Sequence, residues 1–161
     1  MLAGHVVPSL RQAAADAGRQ ESDVRVVASL PVAVTDDVDG ARKRAAEQFA
    51  VYGVLPSYRA MLDREGYAGP EDAAIIGDEA SVKDRLAELR AAGVDEYVGA
   101  TFDASPEARA HTRAVLRQLD ADGQKNSGVT TVTGVRSTLR RVREWLIRRA
   151  GGRGEKPAAR D

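Results

Sequence analysis

The stretch Arg25–Asp37, RVVASLPVAVTDD, decides the fold class of this chain. Val26, Val27, Ala28, Leu30, Val32, Ala33 and Val34 make a nearly unbroken apolar run with no polar face. A strand of that kind is covered on both sides, as in a parallel sheet or barrel. Thr35, Asp36 and Asp37 then supply capping oxygens and negative charge, which suit the first turn of a helix. A strand that feeds a helix in this way implies a parallel crossover, and a parallel strand needs neighbours on both edges.

Outward from that strand the pattern alternates. Upstream, Leu2–Ala17 has Val6, Leu10, Ala13 and Ala14 at helical spacing, with Pro8 in the first regular turn and Gly18 as the stop. Downstream, Asp37–Val54 reads as one helix with Ala41, Ala45, Phe49 and Tyr52 on a common side. Pro56–Glu65 is a second helix carrying Tyr58, Met61 and Leu62, closed by Gly66. Gly69-Pro70 marks a turn, and Ala73–Ile76 is a short apolar segment whose type the pattern leaves open.

The next unit is the clearest. Ser81 with Asp84 resembles a capping box, Val82, Leu86 and Leu89 form a stripe, and Gly93 stands where a left-handed stop belongs. Val94–Thr101, VDEYVGAT, reads as a second strand. Ser105 then caps a helix that opens on Pro106 and runs through Ala108, Thr112, Val115 and Leu116 to about Leu119. Helices alternating with strands make this an α/β chain.

Composition excludes several classes. The chain has 161 residues, enough for one ordinary domain, and 43% hydrophobic with 30% charged residues is a globular balance. No apolar run approaches the roughly 20 residues that span a bilayer, and the N-terminus lacks a signal-peptide pattern, so a cytoplasmic location is expected. Without cysteine there is no disulfide framework and no thiolate chemistry. The zero net charge conceals a division: residues 1–123 carry 14 basic and 21 acidic side chains, residues 124–161 carry 10 and 3. That asymmetry suggests two units, 1–123 and 124–161.

The second unit reads as a polar linker or weak strand over 124–133, then a basic amphipathic helix from Val135 to Ala150, then a disordered tail from Gly151. Val135, Leu139, Val142 and Leu146 share one stripe, and six arginines occupy the rest of the helix. Such a helix suits anionic lipid or nucleic-acid phosphates. The alternative is an extension that folds over exposed surface of the first unit.

Leu30–Gly66, LPVAVTDDVDGARKRAAEQFAVYGVLPSYRAMLDREG, followed by Ile75–Gly99, IIGDEASVKDRLAELRAAGVDEYVG, resembles the C-terminal part of luciferase-like oxidoreductases. Within them it is most similar to the branch that uses the deazaflavin coenzyme F-420. Gly77, Val82, Leu86, Leu89, Ala92, Gly93, Val94 and Asp95 carry the likeness, which covers about residues 2–120. The resemblance implies a (β/α)₈ barrel, of which this chain holds the seventh and eighth units as a partial barrel. It also implies hydride transfer between F-420 or FMN and a small organic substrate. The earlier strands and the glycine-containing phosphate loop have no counterpart here, so a fragment without independent turnover is expected.

Barrel chemistry sits at the C-terminal ends of strands. That reading places Ser29, Leu30 and Pro31 on one strand, and Thr101, Phe102 and Asp103 on the other, as walls of a coenzyme pocket; core packing is the alternative. No motif assigns a catalytic residue or a metal ligand. His5 and His111 lie on predicted helices without nearby partners. Asp36, Asp37 and Asp39 suit a helix cap better than a metal. Gly77-Asp78 lacks the spacing of a phosphate loop. Phe49, Tyr52, Tyr58 and Tyr67 suit packing in the helix hairpin.

Two such units leave the inward faces of their strands uncovered. Exposing four or five aliphatic side chains forfeits on the order of 10 kcal/mol, comparable with a domain's net stability. Self-association, a complementing barrel half, or cover by the tail helix would each answer this.

Overall fold

The computed structural model describes residues 2–124 and 130–133. The basic helix expected over 135–150 and the tail from 151 lie outside the described residues.

Four parallel strands form one sheet in the order β2-β1-β3-β4. They are β1 (Val27–Val34), β2 (Ile75–Gly77), β3 (Glu96–Thr101) and β4 (Thr130–Thr133). The short apolar segment near Ile75 is thus a strand, paired with the last three residues of β1 from Val32 to Val34. Because β2 and β3 flank β1 on opposite edges, the connection between them passes over β1. Among the described residues the sheet is open, with β2 and β4 at its edges.

The helices are α1 (Val7–Asp16), α2 (Val38–Gln48), α3 (Ala50–Val54), α4 (Pro56–Glu65), α5 (Glu79–Ala91) and α6 (Pro106–Gln124). The first turn of the N-terminal segment, Leu2–Val6, is a wider helix that leads into α1. Two expectations change. The single helix over Asp37–Val54 breaks at Phe49, whose ring is fixed in the core against Phe102. The cap of α5 is Asp78, which accepts from the Ser81 amide at 2.8 Å; Ser81 is a donor inside the first turn.

Side chains alternate across the sheet. Ala28, Val32 and Val34 of β1 join Tyr97, Ile75, Val82, Leu89, Val115 and Leu116 in the larger core, with Val7 of α1. The opposite face of β1 and β3 is covered only toward its C-terminal end, where Ala33 and Phe102 pack with Ala41, Ala45 and Phe49. Toward the N-terminal end it opens: Val27 is 53% exposed, Ser29 is exposed, and Pro31 and Val98 are half-buried.

Glycine decides how closely two layers approach. A Cβ at Gly99 would stand 3.0 Å from Leu116 of α6 and 3.0 Å from Val32 of β1. At Gly93 the backbone takes φ 92°, which ends α5, and a Cβ would meet Val7 at 2.9 Å. Gly99→Val is therefore expected to force α6 off the sheet and destabilise the chain by about 1–3 kcal/mol in a urea or thermal melt.

Candidate functional site at the C-terminal rim of the sheet

The rim is built where β1 outruns β3. Thr35, just past β1, donates its amide to the Gly77 carbonyl at 2.8 Å and so extends the ladder with β2. On the other edge β3 ends at Thr101, opposite Val32, and leaves the Val34 amide without a strand partner. The Thr112 hydroxyl of α6 accepts that amide at 3.0 Å and donates to the Asp103 carboxylate at 2.6 Å. Thr112 is fully buried and Asp103 is 5% exposed. Arg109 donates to the Asp103 carbonyl at 3.3 Å. The second carboxylate oxygen of Asp103 is buried without a hydrogen-bond partner.

Beside this relay stands an aromatic series. Phe102 meets Phe49 edge-on with centroids 5.6 Å apart, Phe49 meets Tyr52 at 6.3 Å, and Tyr52 meets Tyr58 at 4.8 Å. The series leads from the buried rim to the surface, where Tyr58 is 42% exposed. Burial, and secondarily the neighbouring Tyr58 phenol, push the Tyr52 phenol above its ordinary pKa.

Of the residues expected to wall a pocket, Thr101 and Phe102 lie at the rim, and Phe102 is fully buried there. Ser29, Leu30 and Pro31 lie mid-strand, paired with Val98, Gly99 and Ala100, because β1 continues to Val34. Leu30 faces the helices, while Ser29 and Pro31 point to the other face. Proline is admissible inside β1 for a definite reason. Its nitrogen lies on the edge that Thr35 presents to β2, but at a level where β2 has not begun, so no ladder bond is lost.

The other candidates are placed as follows. Asp37 caps α2 by accepting from the Gly40 amide at 3.0 Å, and Arg44 lies 3.3 Å from it. His5 is exposed, and His111 stands 3.6 Å from Glu79 on the surface. The start of α5 is already occupied by an anion. Hydrogen bonds from the Ser81 hydroxyl and amide hold the Asp78 carboxyl below the usual range. A phosphate there would meet both Asp78 and Glu79. The Thr112–Asp103 relay was not foreseen; its signal was a hydroxyl on the otherwise apolar stripe of Val115, Leu116 and Leu119.

The family model described as luciferase-like monooxygenase matches residues 2–96. The chain belongs to that family. No curated protein and no solved structure matches the chain. The matched luciferase-like region takes in β1, β2 and the helices between them, through α5, and stops as β3 begins. Thr101, Phe102, Asp103 and Thr112 lie beyond it, so their placement rests on the structure. Among the described residues no helix is long and apolar enough to cross a membrane.

The relay makes a specific prediction. Thr112→Val removes the acceptor of Val34 and the donor to Asp103, leaving two buried polar groups unpaired at about 1–3 kcal/mol each. Thr112→Ser keeps both bonds and loses one methyl, about 1 kcal/mol. Urea melts of the two variants should separate clearly; equal losses would show that the hydroxyl is not what holds β1, β3 and α6 together.

Proposed function

We propose that this chain is part of an oxidoreductase that moves hydride between reduced FMN or coenzyme F-420 and a small organic substrate. In this reading β1 and β3 are adjacent staves of a (β/α)₈ barrel, α1, α5 and α6 belong to its outer layer, and β2 is a short rim strand. The observation that carries it is the luciferase-like match over β1 to α5. It is supported by six consecutive parallel pairs between β1 and β3 and by rim residues at their C-terminal ends.

The residues present fit one part of such a coenzyme. The Phe102–Phe49–Tyr52 series backs the rim from within, Phe102 and Phe49 buried and only Tyr52 and Tyr58 reaching solvent. It would thus support an apolar, aromatic wall for a flat ring, and Asp103 and Thr112 hold that support to the sheet. They do not fit a phosphate at α5, where Asp78 stands. The coenzyme itself would supply the hydride chemistry, and the wall would orient the ring and exclude water. The phosphate grip and the remaining staves then come from a complementing half.

Two measurements test this. Fluorescence titration of the isolated chain with oxidised FMN or F-420 should give no micromolar binding; such binding would overturn the need for a complement. Grafting residues 2–124 in place of the matching segment of a luciferase-like flavoenzyme should preserve coenzyme binding, and Phe102→Ala in that graft should weaken it. A folded graft, verified by circular dichroism, that binds no coenzyme would refute the assignment.

Acid should act through a separate feature. Burial raises the Asp72 carboxyl, but amide hydrogen bonds from Gly69 and Ala68 together with Arg42 outweigh it and hold its pKa below the ordinary value. A carboxylate depressed on folding stabilises the native state above its unfolded pKa, and that contribution fades as pH falls through the folded value. The short helical turn Pro70–Asp72, tied to α2 through Arg42, should thus loosen as pH falls through the folded pKa of Asp72, and Asp72→Asn should flatten the acid limb of a stability–pH curve.

A further inference from the structure

One surface is unexplained by the luciferase-like reading of the rim. On the face of the sheet opposite α5 and α6, the rows Val27/Glu96 and Ser29/Val98, with half-buried Pro31 next along β1, are only partly covered, whereas Ala100 beside Pro31 is buried. Val27 is 53% exposed, although it belongs to the strand that organises the core. Aliphatic side chains on a central strand are ordinarily covered on both faces.

Three observations point to one occupant. The first is position. β4 pairs with β3 from Glu96 to Gly99, level with the open rows, so the chain leaves Thr133 beside them. The second is pattern. The sequence that follows carries Val135, Leu139, Val142 and Leu146, one stripe of a helix over about 17 Å at 1.5 Å per residue. The partly uncovered stretch of β1 from Val27 to Pro31 spans about 13 Å at 3.3 Å per residue. The third is charge. Glu21, Asp23, Asp95 and Glu96 cluster at the N-terminal end of β1 and β3, partly answered by Arg11 at 3.4 Å from Glu21 and Arg25 at 3.1 Å from Glu96. Residues 1–123 as a whole carry seven more acidic than basic side chains, and residues 124–161 carry seven more basic than acidic ones.

We propose that residues 135–150 of this same chain form an amphipathic helix lying across the open rows, its apolar stripe on Val27, Pro31 and Val98 and its arginines toward the acidic end of the sheet. The helix occupies the face that the proposed barrel would turn inward. This inference does not depend on the coenzyme reading: the titration of the isolated chain is expected to be negative with or without the tail helix, and the graft of residues 2–124, which lacks the tail, tests the coenzyme reading separately.

The chain carries its own reporter, because Trp145 is the single tryptophan and lies within the proposed helix. In the full chain Trp145 emission should be blue-shifted and quenched by acrylamide several-fold less than in the urea-unfolded chain. Both signals should be independent of protein concentration. Val27→Asp, on the sheet, and Val142→Asp, in the helix, should each return the emission toward that of exposed tryptophan while far-ultraviolet dichroism shows the sheet intact. The second variant leaves the described sheet untouched, so it decides the matter if the first fails to fold. Exposed Trp145 in the unmodified chain, or emission indifferent to Val142→Asp, would overturn the proposal. A blue shift that grows with concentration would point to a second copy, and one that needs phosphatidylglycerol vesicles to a membrane; each would overturn it as well.

Discussion

Everything in this structure is positioned by the burial of β1 between two strands that do not match its length. β3 pairs with its first six residues and β2 with its last three, overlapping only at Val32, which is completely buried. A parallel strand with unmatched neighbours leaves amides unpaired at both ends, and a buried unpaired amide is costly. The two ends meet this differently. Where β2 is absent, Pro31 has no amide to leave unpaired. Where β3 is absent, Thr112 reaches from α6 to accept from the Val34 amide and donates its own hydroxyl hydrogen bond to Asp103. That second solution is what docks α6 on the sheet, and Gly99 allows the docking to be close. The fold and the rim are therefore one construction: the residues that complete the ladder also shape the ends of the strands.

The same asymmetry explains what could be read from sequence. β1, β3, α4, α5 and α6 were legible because each has a strong local signature: an apolar run, a proline at the first turn, a glycine at the stop. The capping role of Asp37 was legible for the same reason. β2 was not, since three residues carry no period and its strand character comes from pairing with β1. The break at Phe49 was hidden because helix propensity continues through it; contact with Phe102, distant in sequence, turns the chain there. Asp78 was passed over for Ser81 because both are good caps three residues apart and only the backbone decides between them. Ser29, Leu30 and Pro31 lie mid-strand for a related reason: the end of β1 is set by where β2 and α6 can still supply partners. Thr112 and Asp103 are joined through a fold-wide contact with Val34 that no local pattern encodes.

The two faces of the sheet place different demands on the chain. The face under α1, α5 and α6 is finished: its side chains interlock, and burial lifts the Tyr97 phenol well above its usual range while its hydroxyl reaches the Leu30 carbonyl at 3.1 Å. The opposite face is finished only at the rim, where aromatic rings close over Ala33. A luciferase-like barrel would use that face as its interior, with further staves completing the wall. A chain folding on its own needs the same rows covered by something nearer, and the apolar stripe that follows β4 is the nearest candidate. These uses exclude one another, since the space above Val27 and Val98 holds either a helix or the interior of a barrel. Whatever stability the proposed tail helix would add to the isolated chain, a complementing half would have to overcome it before the rim could face the proposed coenzyme. On this geometry the two proposals, a self-covered chain and a barrel half, compete for one partly exposed strip of sheet.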